Sequence, residues 1–152
     1  MRSTSTQTQA IHLSDYQVPN FLIDTVDLTF DLFEEYSLVT CEMTLHANPA
    51  SQDHSELKLH CDEVELQSIE IDGKTLAITD YELTDEYLII KQPPQSFNCM
   101  IKTKINPKAN VKLSGLYQSN GNFCTQCEAH GFRRITYFLD RPDVLARYTT
   151  TI

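Results

Sequence analysis

Apolar residues recur at every second position along most of this chain, and no window before Asp140 repeats at a helical period. Val26, Leu28, Phe30 and Leu32 alternate with Asp27, Thr29 and Asp31. Val39, Cys41, Met43 and Leu45 alternate with Thr40, Glu42 and Thr44. Phe97, Cys99, Ile101, Thr103 and Ile105 alternate with Asn98, Met100, Lys102 and Lys104. Side chains of an extended chain point to opposite faces in turn, so each run reads as a strand with one dry and one wet face. Roughly eight such strands, with turn signals about every 8–12 residues, predict an all-β fold. The expected form is an antiparallel saddle-shaped sheet or β-sandwich with one short helix near the C-terminus.

The punctuation refines this. Glu34 and Glu35 mark a turn between the first two runs, which makes them a hairpin. Asn48 to Ser55 is a loop, and Leu57 and Leu59 alternate in a short strand. The alternation of Val64, Leu66, Ile69 and Ile71 slips by one, which predicts a bulge at Gln67–Ser68. Asp72-Gly73 is a hairpin turn, because glycine supplies the positive φ of a type I′ turn. Leu76 and Ile78 are expected on its return strand. Tyr81–Leu83 and Tyr87–Ile90 flank another turn, and Pro93-Pro94 ends that ladder. Asn120-Gly121 is a further hairpin signal. Asp140 is a helix N-cap candidate ahead of Pro142 and Asp143, and that helix must be short because Tyr148–Ile152 has strand propensity. The chain stops inside this strand-like run, which reads as the cut end of a longer polypeptide.

The 152 residues suit one domain with its own core. The formal net charge of −9 argues against a nucleic-acid surface or an anionic membrane as partner. The charge is uneven: residues 1–110 carry 7 Lys and Arg against 18 Asp and Glu, whereas residues 111–152 carry 5 against 3. The opening MRSTSTQTQA has no apolar run, so it is neither a signal peptide nor a membrane span. Residues 1–12 are expected to be a disordered polar N-terminus and 13–152 a β domain. Five cysteines, an odd number, indicate free thiols and a cytoplasmic location.

Chemistry concentrates between Gly115 and Arg147. Cys124 and Cys127 form a C-x-x-C pair that follows a hairpin turn rather than opening a helix. It can be packing, half a metal site lacking a second ligand pair, or a redox pair. Glu128 stands in otherwise uncharged sequence. It is a surface carboxylate, a partner for Arg133 or Arg134, or an anion held to receive a cation. Gln126 lies two residues earlier, so in an extended segment its amide and the Glu128 carboxylate share a face. Arg133 and Arg134 have Glu128, Asp140 and Asp143 as candidate partners. Tyr117, Phe132, Tyr137 and Phe138 read as packing residues.

The segments Gly115-Leu116-Tyr117-Gln118-Ser119, Cys124-Thr125-Gln126-Cys127-Glu128-Ala129, Gly131-Phe132-Arg133 and Leu139-Asp140-Arg141-Pro142-Asp143-Val144 closely resemble the N-terminal domain of the bacterial aminopeptidase N family. Those alanyl aminopeptidases are zinc metallopeptidases of the gluzincin type. The run from Tyr16 through Pro19 to Val26–Leu32 is similar to the family's opening. The resemblance implies a saddle-shaped β domain that packs on a separate catalytic domain. That domain carries H-E-x-x-H and G-x-M-E-N, neither of which occurs here. It therefore implies zinc in the full-length enzyme, no metal ligand or catalytic residue in this fragment, and an inactive fragment when alone. It assigns substrate binding to Gln126, lining the pocket for the first side chain, and to Glu128, holding the substrate's free α-ammonium. The implied partners are the chain's own missing catalytic domain and peptides with a free N-terminus. His130 departs from the acidic residue expected there. Two other classes compete: a free-standing β-sandwich binding or adaptor module, and a small C-x-x-C metal or redox protein.

Overall fold

Strand β1 (Phe21–Leu32) and strand β2 (Ser37–Ala47) form the hairpin that the alternation predicts. The computed structural model describes residues 12–152, so the expected disordered tail lies, except for His12, outside the described residues. The remaining strands are β3 (Glu56–His60), β4 (Glu65–Ile71), β5 (Lys74–Thr75), β6 (Tyr81–Leu83), β7 (Tyr87–Lys91), β8 (Ser96–Ile105), β9 (Gly115–Ser119), β10 (Asn122–Gln126) and β11 (Arg147–Thr151). They assemble into a six-stranded sheet in the order β11-β1-β2-β8-β4-β5, a three-stranded sheet β3-β7-β6, and the β9–β10 hairpin. Most pairs are antiparallel, as expected; β11 adds to β1 in parallel, which local sequence does not announce.

The period-two pattern places one face of each strand in the core. On β2, Val39, Cys41, Met43 and Leu45 are buried; across the ladder they face Thr103, Ile101, Cys99 and Phe97 of β8. Leu57 and Leu59 of β3 and Leu88 and Ile90 of β7 bury their side chains in the same cluster. Residues Ile135 to Leu139 fill it from the C-terminal side. Removing this much apolar surface from water is the main favourable term in the fold.

Two register slips set the phase of the long strands. One falls between Leu66 and Ser68, at the predicted bulge. The other, between Ile23 and Thr25, was not anticipated, although its signal was present. Phe21 and Ile23 are in one phase, Val26 and Leu28 in the other, and all four are buried. The turn residues Asp72 and Gly73 have φ of 49° and 74°, and Asn120 and Gly121 have 49° and 81°, as two-residue hairpins require. The return strand after Gly73 is shorter than expected. It ends at Thr75, and Ile78 is exposed.

The helix expected from Asp140 does not form. Residues 141–144 make a single turn closed by the Val144 N–H donating to the Arg141 carbonyl at 3.2 Å. The short helix near the C-terminus is instead a 3-10 turn at Phe132–Arg134. Asp140 caps no helix here; its Oδ2 and its carbonyl accept from Arg133 instead. The Arg133 backbone N–H and Nε both donate to Asp140 Oδ2, at 3.2 and 2.9 Å, and Nη2 donates to the Asp140 carbonyl at 3.0 Å.

Candidate functional site

Gln126 is the last residue of β10, paired in register with Gly115 at the base of the β9–β10 hairpin. The chain then leaves the ladder. Cys127 to Gly131 forms a tight turn, closed by the Gly131 N–H donating to the Cys127 carbonyl at 2.8 Å. Glu128 lies within that turn, and its peptide bond to Ala129 is cis. Strand alternation therefore does not govern its direction. The structure nevertheless keeps the two predicted residues together, with Gln126 Nε2 donating to the Glu128 backbone carbonyl at 3.3 Å.

Two glycines let the backbone close around this turn. A Cβ on Gly131 would stand 2.6 Å from Cys127 Cα, 3.1 Å from Ser114 Oγ, and against the Gln126 carbonyl. A Cβ on Gly115, where φ is +76°, would stand 2.6 Å from Arg134 Cβ and 3.1 Å from the Gly131 carbonyl. Gln126 thus lies between Gly115, its ladder partner, and Gly131, which also approaches Cys127. Sequence reasoning missed this support; the glycine three residues after Glu128 was its one visible trace.

The carboxylates near the turn are matched to arginines, with one exception. Arg133 pairs with Asp140 and Arg141 with Asp143. Arg134, with a side chain only 5% exposed, forks onto Asp62 and Glu63 of the β3–β4 turn. Lys112 joins the same two acids, at 2.8 Å from Glu63 and 3.7 Å from Asp62. Of the three partners proposed for the two arginines, only Asp140 is used. The Glu128 carboxylate is exposed and has no hydrogen-bond or ion-pair partner among the described residues. His130 is exposed in the same turn.

The C-x-x-C pair carries little sign of chemistry. Both thiols are free. Burial pushes the Cys127 thiol up, with Asp140 adding to the effect, which is the opposite of what a reactive thiolate needs. Cys124 sits on β10 opposite Tyr117. Among the described residues, no three His, Cys, Asp or Glu side chains are grouped to hold a metal ion. The arrangement around Gln126 and Glu128 is an open polar surface. Neither residue lines the 370 Å³ groove beside Pro19 and His60 or the 750 Å³ cleft beside Pro93 and Pro94.

Residues 15–152 match the model of the Peptidase M1 N-terminal domain. The chain belongs to that family. This M1 N-terminal domain is 43% identical over 144 residues to aminopeptidase N of Caulobacter vibrioides and 42% identical over 146 residues to aminopeptidase N of Escherichia coli. Those matches cover 95% and 96% of the chain but 16% of each relative. The chain therefore corresponds to about a sixth of the length of these proteins. Among solved structures, an aminopeptidase A of Legionella pneumophila in complex with aspartic acid superposes with a TM-score of 0.84 at 33% identity. That superposition covers 91% of the M1 N-terminal domain and 16% of the other chain. An M1 zinc metallopeptidase of Deinococcus radiodurans shares the fold at 15% identity, with a TM-score of 0.70 over 86% of this chain and 32% of its own. No helix among the described residues is long and apolar enough to cross a membrane.

Proposed function

We propose that this domain, residues 13–152, is the substrate-anchoring part of a longer zinc aminopeptidase that removes N-terminal residues from peptides. Glu128 receives the substrate's free α-ammonium, and Gln126 lines the pocket for the first side chain. The observation that carries this reading is the lone carboxylate of Glu128. It stands free on a turn that two glycines lock in place, while its acidic neighbours are bound to arginines. An anion carried on such a turn gains a charge-assisted hydrogen bond from a free ammonium and is left unpaired by a blocked N-terminus. The surface is open, so enclosing a substrate needs a second wall, which the chain's own catalytic domain supplies. Val111 and Leu113, exposed just before β9, suit burial against that domain. A structural neighbour is named a zinc metallopeptidase, but the described residues group no ligand set for zinc, so such a metal would be held by the rest of the protein. Five free cysteines suit the cytoplasm.

The test uses the full-length protein with an alanyl chromogenic amide and its N-acetylated counterpart. Glu128→Ala should lower kcat/KM for the free amine by roughly 10²-fold, the scale of a lost charged contact. It should leave the poor turnover of the acetylated compound unchanged. Equal activity of variant and wild type on the free amine would refute the assignment.

A further inference from the structure

The geometry points to Arg134 as the positioning residue for the Glu128 turn, an inference that rests on the substrate-anchoring reading of Glu128. The Arg134 guanidinium joins three segments distant in sequence. Its Nη1 donates to Asp62 and its Nη2 to Glu63, in the turn between β3 and β4. Its Nε donates to the Ser114 carbonyl at 3.2 Å, just before β9. Asn110 Nδ2 donates to that same carbonyl at 2.7 Å and to the Leu116 carbonyl at 3.0 Å, so the start of β9 is held from two sides. The next residue, Gly115, is the ladder partner of Gln126 and lies against Arg134 Cβ. Gln126 in turn bonds the Glu128 carbonyl. The path from guanidinium to turn runs through backbone contacts, with no flexible side chain before Gln126.

The chemistry of the clamp is specific to arginine. A nearly buried cation needs both anions to offset its desolvation. A planar fork can meet two carboxylates and a carbonyl at once, whereas an ammonium reaches the same groups without fixed direction. Displacing the turn by about 1 Å would misplace the anchoring carboxylate and weaken substrate capture by roughly one to two orders of magnitude. A purely structural role for Arg134 would change thermal stability and leave KM as it was.

The experiment measures KM and kcat of the full-length protein on the alanyl amide for wild type, Glu128→Gln, Arg134→Lys, Arg134→Met and the Glu128→Gln/Arg134→Met pair. Asp62→Asn and Glu63→Gln are added because their side chains are 41% and 60% exposed, so these variants fold even where Arg134→Met does not. The expected result is a KM raised roughly tenfold by Glu128→Gln and by Arg134→Met, with kcat changed by less than about threefold. Arg134→Lys should fall between wild type and Arg134→Met. Asp62→Asn and Glu63→Gln should each raise KM in the same direction, and on the Glu128→Gln background Arg134→Met, Asp62→Asn and Glu63→Gln, each made as a double variant, should raise KM no further, because they act through the carboxylate already removed. An unchanged KM in Glu128→Gln would sink the anchoring reading and this inference with it. A raised KM in Glu128→Gln, combined with clamp variants that leave KM unchanged or multiply with it, would overturn this inference alone.

Discussion

Replacing Gly131 by alanine isolates the close approach at the base of the hairpin. Gly131 has φ −89° and ψ −19°, which any residue can adopt, so the substitution carries no conformational penalty. The added methyl would meet backbone: Cys127 Cα at 2.6 Å and the Gln126 carbonyl. The Gln126 carbonyl, at the end of a ladder, cannot swing aside as a flexible side chain can. Overpacking a tight site costs about 1–3 kcal/mol, and this one belongs at about 3 kcal/mol. For a domain of this size that corresponds to a fall in Tm of roughly 6–12 °C. Gly73 provides the internal control. A Cβ there meets nothing within 4 Å, but φ is +74°. Its replacement by alanine should cost only the left-handed conformation, about 1 kcal/mol. Thermal unfolding followed by circular dichroism, with urea midpoints as a second measure, ranks the two variants. If Gly131→Ala loses no more stability than Gly73→Ala, the claim that backbone contact fixes this turn is wrong.

Cysteine reactivity follows from exposure. In the native protein, iodoacetamide labelling read by mass spectrometry should modify Cys124 first and Cys127 more slowly. Cys99, pushed up to about 12 by burial, and the equally buried Cys41 should react only on unfolding. His60 should make the fold sensitive to mild acid. Burial and, to a smaller extent, the nearby Arg133 hold its ring below the ordinary histidine value. The unfolded chain therefore takes up a proton first as pH falls below about 6.5, and stability drops from there down to the folded-state pKa. Urea midpoints at about pH 7.5 and about pH 5 should differ less for His60→Gln than for wild type; an equal difference would remove His60 from the explanation.

Most of the fold was legible because alternation and turn residues are local signals. The slip at Gln67–Ser68 could be read because the apolar residues on both sides change phase visibly. The same signal at Ile23–Val26 lies at the start of the strand, where the alternating run from Val26 does not extend. A local reading also failed at Asp140: the segment closes as a single turn, and Asp140 Oδ2 accepts from Arg133, seven positions earlier. Arg134 shows the same limit, since its partners Asp62 and Glu63 are more than seventy positions away and no spacing rule reaches that far. The pair Gln126 and Glu128 was singled out through residue type and spacing, and the close backbone packing beside it became visible only with Gly115 and Gly131 in place.

The parallel pairing of β11 with β1 has a consequence for synthesis on the ribosome. Among the described strands β1 is made first, and its edge away from β2 is matched by residues 147–151. At about 5–20 residues per second, the wait between the emergence of Leu32 and that of Arg147 is roughly 6–23 s. Throughout that interval the nascent chain presents an open row of N–H and C=O groups from Thr25 to Thr29. Asp27, exposed on a face of that edge strand, is a charge that discourages premature pairing with another nascent chain.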